Sequence, residues 1–207
     1  MKNHRDPGRT RGRILGAALE EFARYGLGGA RVDRIAERAG ANKRMLYYYF
    51  GDKDGLFLAA LEDRYAHIRS AERSLELEHL DPREALKRLV EFTWKYFLKH
   101  PEFMTLLNSE NLHKGRHVKN SKRVRDMHST LVETLRTVLR KGEAQGLFRK
   151  GVDPVQLYIS IAGEVYFYLS NRYTLSRIFD RDLMAPRALA GRSRHVTQMM
   201  LNALRAT

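Results

Sequence analysis

The chain of 207 residues contains no cysteine, which excludes disulfides, thiolate metal sites and a cysteine nucleophile together. No apolar run approaches the roughly 20 residues that a membrane-spanning helix needs, and the first residues, MKNHRDPGRTRGR, are charged rather than apolar. A soluble, cytoplasmic protein with no membrane partner is expected. Beyond residue 54 there is no credible strand and no internal repeat. Catalytic signatures are missing too: no nucleophile elbow, phosphate-binding loop or dinucleotide fingerprint is present. His113 and His117 are spaced i, i+4, but HExxH is absent and no third ligand stands at coordinating spacing. Neither an enzyme nor a bound metal or cofactor is expected. Acid is in deficit, with 24 Asp and Glu against 38 Lys and Arg, and the resulting formal charge of +14 favours an anionic partner. With 43% apolar residues there is enough to fill one or two small cores.

The most specific stretch is VDRIAERAGANKRMLYYYF, from Val32 to Phe50. Val32, Ile35, Ala36 and Ala39 recur at helical spacing, and Gly40 follows where the chain must turn sharply. Ala36 puts a small side chain where a second helix has to cross closely. Asn42 can cap that second helix, whose Leu46, Tyr49 and Phe50 share one face. Lys43, Arg44, Tyr47 and Tyr48 then point outward. Guanidinium and ammonium donors with phenols are what a groove-reading surface needs. The pattern is that of a helix-turn-helix, the plain alternative being a two-helix corner with a solvated basic face.

The flanks favour the first reading. RTRGRILGAALEEFARYGLGGA forms an amphipathic helix with Ile14, Leu15, Ala18, Leu19 and Phe22 on one side, ended by the glycines from Gly26 onward. Asp52 caps a further helix beginning KDGLFLAALEDRY. With an ILxAAxxxF helix, a VxxIAxxAG helix, a recognition helix ending LYYYF and a following DKxxLF segment, the N-terminal quarter resembles the TetR (tetracycline repressor) family of bacterial transcription regulators. The resemblance implies base or groove contacts from Lys43, Arg44, Met45 and Tyr47, with Tyr48 beside them. It further implies a phosphate contact from Tyr47 or Tyr49 and another from Lys53, at a helix N-terminus. Asn42 belongs to the same surface as the cap. Where many members carry Thr or Ser before the second helix this chain has Ala30 and Arg31, so Arg31 stands to replace a capping hydroxyl by a direct phosphate contact. Lys2, Arg5, Arg9, Arg11 and Arg13 form a basic arm suited to the DNA backbone or minor groove. The run Lys114, Arg116, Lys119, Lys122, Arg123 and Arg125 reads as a solvated helix end and loop, or as a steering patch.

Further helices are predicted from Lys53 to near Leu80, from a cap at Asp81 to about His100, from Pro101 to before Gly115, from Ser121 to Gln145, from a cap at Asp153 to about Tyr173, and from about Pro186 onward. The expectation is an all-α protein of about nine helices, with a helix-turn-helix DNA-binding domain over 1–54 and a helical effector-binding and dimerisation domain over 55–207. The helix from Pro154 is apolar on nearly every side, with Leu157, Tyr158, Ile159, Ile161, Ala162, Val165, Tyr166, Phe167 and Leu169. In so small a protein one side must meet its own domain and the other a second copy. Gly163 inside it reads as a packing position. The last helix offers Val196, Met199, Met200, Ala203 and Leu204 as a second stripe. The family resemblance implies that these two helices pair across a two-fold axis into a four-helix bundle. Two heads so related require a palindromic operator on double-stranded DNA.

Ligand sensing is likewise implied by the family, for a small organic effector. The residues assigned to its pocket are Trp94, Phe97, Phe103, Met104, Leu107, Asn108, Glu110 and Asn111, with Tyr166, Phe167 and Asn171 from the later helix; aromatics at such spacing also serve as plain core. The competing reading of the whole chain is a helical protein binding DNA without sequence preference.

Overall fold

In the computed structural model of the protein, residues 7–206 are described. The helices are α1 (Pro7–Gly29), α2 (Val32–Arg38), α3 (Lys43–Phe50), α4 (Lys53–Arg73), α5 (Pro82–Lys99), α6 (Pro101–Leu112), α7 (Lys122–Ala144), α8 (Pro154–Ser170), α9 (Arg172–Ile178) and α10 (Pro186–Leu204). The only strand-like pairing among the described residues is one antiparallel bridge between Phe148 and Arg205. The protein is all-α, as the periodicity requires.

Local chemistry sets most helix ends. Asp81 Oδ1 accepts from the N–H groups of Arg83 (2.9 Å) and Glu84 (3.3 Å), and Asp153 Oδ1 from those of Val155 (2.7 Å) and Gln156 (3.5 Å). Each aspartate satisfies donors that the first turn leaves open. Ser121 Oγ accepts from the N–H of Val124 at 3.2 Å at the start of α7. Gly26 interrupts α1 with φ 64°, so the amphipathic helix ends there although helical hydrogen bonding resumes as far as Gly29. The count differs from nine because α8 stops at Ser170 and a separate seven-residue helix, α9, follows Asn171. α4 also ends at Arg73, short of Leu80, and a 3₁₀ turn, Leu77–His79, fills the gap.

The chain forms two compact units. One contains residues up to 67 together with 100–125, the other 68–99 with 126–207. A boundary after residue 54 falls inside α4, and the unit carrying the helix-turn-helix also takes in α6. Its core joins Ile14, Ala18 and Phe22 to Ile35, Leu46, Phe57 and Leu61, and Leu106 of α6 lies in the same cluster. Phe22 and Phe57 meet edge to face at 5.1 Å. Ser109 Oγ accepts from the N–H of Leu27 at 3.1 Å, binding α6 to the end of α1.

In the second unit Leu86, Leu89 and Val90 of α5 pack with Leu135 and Leu139 of α7, Leu157 and Ile161 of α8, and Val196, Met200 and Leu204 of α10. α8 presents two opposed ridges. Leu157, Ile161, Val165 and Leu169 are buried, whereas Val155, Ile159 and Phe167 are exposed. The ridges are offset by two residues, about 200° of helical rotation. The apolar stripe of α10 is used largely inside its own chain. Val196, Met200 and Leu204 are buried, Met199 packs against them, and only Ala203 of the five is exposed.

Candidate functional site

α2 and α3 are joined at Gly40, whose φ of 56° needs no side chain to be relieved, and the N–H of Ala41 donates to the carbonyl of Ala36 at 2.9 Å. Asn42 caps α3, its side-chain oxygen accepting from the N–H of Met45 at 2.8 Å. Leu46 and Phe50 are buried, and Lys43, Arg44, Tyr47 and Tyr48 are exposed, Tyr48 to 82%. Met45 and Tyr49 differ from these. Both are half-buried and pack against the head's own core, and the Tyr49 ring meets those of Tyr48 at 5.2 Å and Phe50 at 6.4 Å. The free face of α3 thus consists of two cationic and two phenolic side chains.

The start of α2 is built from a residue that the sequence reading missed. Arg31 occupies the N-cap without a side-chain cap, and its guanidinium is held by Asp33, with contacts of 3.2 and 2.7 Å. The hydrogen bond from Arg31 holds the Asp33 carboxyl well below the usual carboxylate range. The group that the resemblance offers to a phosphate is therefore already engaged. The cap comes instead from Glu21 of α1, fully buried, whose Oε1 accepts from the N–H of Arg31 at 3.0 Å and from Arg34 Nε at 2.6 Å. Burial opposes its ionisation, but the bonds from Arg34 and from the backbone of Arg31, with the charges of Arg34 and Arg38, outweigh this and lower its pKa. The available clue was an acid beside Ala17, Ala18 and Phe22 on the apolar face of α1.

Asp52 caps α4 as expected, accepting from the N–H of Gly55 at 2.7 Å, and Lys53 Nζ lies 3.5 Å from the carbonyl of Gly28. Gly55 is a tight position: a Cβ there would lie 2.1 Å from the carbonyl oxygen of Phe50. Gly55→Ala should therefore force α4 away from the end of α3 and destabilise the head by about 1–3 kcal/mol, seen as a lower Tm with weakened DNA binding. An unchanged Tm would refute this close approach.

Of the basic arm, Lys2 and Arg5 lie outside the described residues. Arg9, Arg11 and Arg13 are exposed, and the Arg11 guanidinium lies 5.0 Å over the ring of Phe50. The run from Lys114 is partly tied down: Arg116 pairs with Asp54 at 2.8 Å, Arg123 with Glu62 at 3.7 Å, and Arg125 donates to the carbonyl of Lys119 at 2.8 Å.

The residues assigned to an effector pocket are distributed between the two units. In the first, Phe103 and Met104 are core, with Phe103 against Tyr65 at 5.2 Å, Leu107 is half-buried, and Asn108 and Asn111 are exposed. Asn111 donates to the carbonyl of Leu107 at 2.8 Å. Glu110 is buried but fully engaged. It accepts from the N–H groups of His117 (2.9 Å) and Val118 (3.0 Å) and meets His117 Nδ1 at 2.5 Å. In the second unit Trp94 and Phe97 are buried, Trp94 against Tyr168 at 5.5 Å. Tyr166 is half-buried, Phe167 is 59% exposed, and Asn171 folds back onto the carbonyl of Phe167 at 2.9 Å. Most of these aromatics are packing residues, and Glu110 is a structural acceptor.

Comparison with known proteins agrees with this geometry. Residues 14–60 match the model of "Bacterial regulatory proteins, tetR family", and residues 82–200 match a tetracyclin repressor-like C-terminal domain. The chain is 42% identical over 197 residues to the HTH-type transcriptional repressor NicS of Pseudomonas putida, covering 95% of this chain and 93% of that protein. It is 40% identical over 111 residues to the repressor SCO4008 of Streptomyces coelicolor, 54% of each chain. In fold it is similar to the putative regulator SCO4942 of Streptomyces coelicolor, with a TM-score of 0.70 at 24% identity, over 96% of this chain and 99% of that one. With a cap-and-glycine helix-turn-helix, a cationic-phenolic outer face and both domain models matched, the chain belongs to the TetR family of bacterial transcription regulators.

Proposed function

We propose that the protein is a homodimeric repressor that reads a palindromic operator with α3 and is released by a small organic effector. That it is a ligand-regulated, DNA-binding transcriptional repressor follows from its family and from relatives that are themselves transcriptional repressors. Which residues do this is the article's own reading. Lys43, Arg44 and Tyr47 supply groove contacts, Tyr48 extends the same face, and Lys53 meets the phosphate backbone at the start of α4. The observation that carries this reading is the exposed face of α3, with four polar-tipped side chains opposite a sealed core.

Arg44→Ala should cost about 1–3 kcal/mol on the operator and much less on random duplex, whereas Lys53→Ala should weaken both about equally and flatten the salt slope. Fluorescence anisotropy at several salt concentrations measures both. An equal loss from Arg44→Ala on operator and random DNA would refute base reading by this side chain.

Dimerisation is assigned to the outer ridge of α8. Val155, Ile159, Gly163 and Phe167 recur every four residues along it, and a Cβ on Gly163 would meet nothing within 4 Å in its own chain. Glycine inside a helix costs about 1 kcal/mol relative to alanine, so a residue with open space above it implies close approach by something else. A second copy of α8 fits. The effector acts by binding the DNA-incompetent arrangement more tightly, and the operator must weaken effector binding by the same factor. α4, which begins at Lys53, is the element best suited to carry that coupling.

A further inference from the structure

The least expected feature of the second unit is a buried ion pair on α4. Arg69 is 2% and Glu72 4% exposed, and Arg69 Nη1 lies 2.9 Å from Glu72 Oε2. Arg69 Nη2 donates to the hydroxyl of Tyr158 at 3.0 Å, and its guanidinium lies 5.2 Å over that ring. The pair is incompletely satisfied. Nε and Nη1 of Arg69 and both oxygens of Glu72 are buried without a well-aligned hydrogen bond among the described residues. Burial pushes the Glu72 carboxyl up to about 7 despite the neighbouring Arg69 charge. Leaving four buried valencies open costs stability, and a pair of this kind is not explained by stability alone.

These groups line a cavity of about 160 Å³, whose other walls include Leu77, Met127, Thr130, Leu131 and Thr134. A cavity near 150 Å³ holds a molecule the size of benzene, which limits an occupant to about one ring. The lining is two-sided in character: an ionic edge from α4, and apolar and hydroxyl groups from α7. Next to each other on that edge stand a donor set seeking an acceptor and an acceptor set seeking a donor.

We propose that the cavity beside Arg69 and Glu72 is the effector site, and that its ligand is a flat single-ring molecule carrying an acceptor next to an N–H donor, as in a cyclic amide. The acceptor takes hydrogen bonds from Arg69 and the N–H donates to Glu72, which completes the open valencies of both. The ring packs against Leu77, Met127 and Leu131. This rests on reading the protein as ligand-regulated, and it places the site away from the aromatic cluster that the sequence suggests. Both polar residues belong to α4, so occupancy acts directly on the helix whose first residue faces DNA.

The test is titration of the purified full-length protein with 2-pyridone, followed by calorimetry and by methyl NMR of Met127 and Leu131. N-methyl-2-pyridone keeps the ring and the carbonyl but lacks the donor. Thr134→Leu narrows the cavity and leaves the ion pair intact. Saturable 2-pyridone binding that shifts both methyl signals is expected, with at least tenfold weaker binding of the N-methyl compound and at least tenfold weaker 2-pyridone binding by Thr134→Leu. Absence of 2-pyridone binding, equal binding of both compounds, or binding unchanged in Thr134→Leu would each overturn the proposal. Operator binding of the same ligand-free samples is measured alongside. Retained DNA binding with no 2-pyridone site removes this site and leaves the repressor reading standing, whereas absence of operator binding strikes the repressor reading itself.

Discussion

Glu110→Leu should lower the unfolding free energy by about 3–5 kcal/mol, because it strips the acceptor from two backbone N–H groups and the imidazole of His117 in one step. Glu110 and His117 are 4% and 8% exposed, so water can replace few of these bonds. The His117 ring also lies 5.0 Å from that of Phe57, within the unit whose core closes on the helix-turn-helix. Glu110→Gln keeps one oxygen for the two amides and should cost less than half as much. Urea unfolding of the three proteins measures the difference. A leucine variant within 1 kcal/mol of wild type would show that Glu110 is dispensable to the fold and would restore a ligand-facing role for it.

Glu110 also illustrates where the sequence ceases to be readable. Asn42, Asp81 and Asp153 could be read as caps because a cap and its amides are at most three residues apart, so that the chemistry is local. Gly40 and Gly26 could be read because a left-handed turn between periodic apolar segments has few other solutions. Glu21 serves Arg31 and Arg34 across a turn, and Arg69 meets Tyr158 from 89 positions away. Such pairs are created by packing, and an isolated charged residue on a helical pattern carries no mark of its partner. Ranking by residue type failed for the same reason. Aromatics are frequent in pockets and more frequent in cores, so Trp94 and Phe103 could not be sorted without burial. The ionic pair Arg69 and Glu72, spaced i, i+3 in a polar-looking stretch, reads as an ordinary solvated helix face. For the DNA surface the outcome was better, since burial of Leu46 and Phe50 on a two-turn helix leaves little choice about which residues face outward.

α8 was legible in part: apolar on nearly all sides, it had to be covered on two, but only the structure separates the ridge that covers its own core from the one that does not. That separation yields the larger functional prediction. Phe167→Glu, at an exposed position, should leave the monomer folded and helical while placing a charge in the seam between two copies, where its desolvation is uncompensated. Two half-site contacts then become independent events, and operator affinity should fall by on the order of a hundredfold or more, with the loss of effective concentration as its cause. Ile159→Glu should behave alike. Val165→Glu, two residues from Phe167 but fully buried, should instead unfold the second unit, which separates a seam effect from general damage. Gly163→Ala supplies the subtler control. With nothing near its Cβ within the chain, it should stabilise the helix by up to about 1 kcal/mol and yet weaken the dimer if the partner's backbone approaches there. Sedimentation equilibrium, circular dichroism and operator titration on the four variants distinguish these cases, and a Phe167→Glu protein that stays dimeric at micromolar concentration would remove the outer ridge of α8 from the interface.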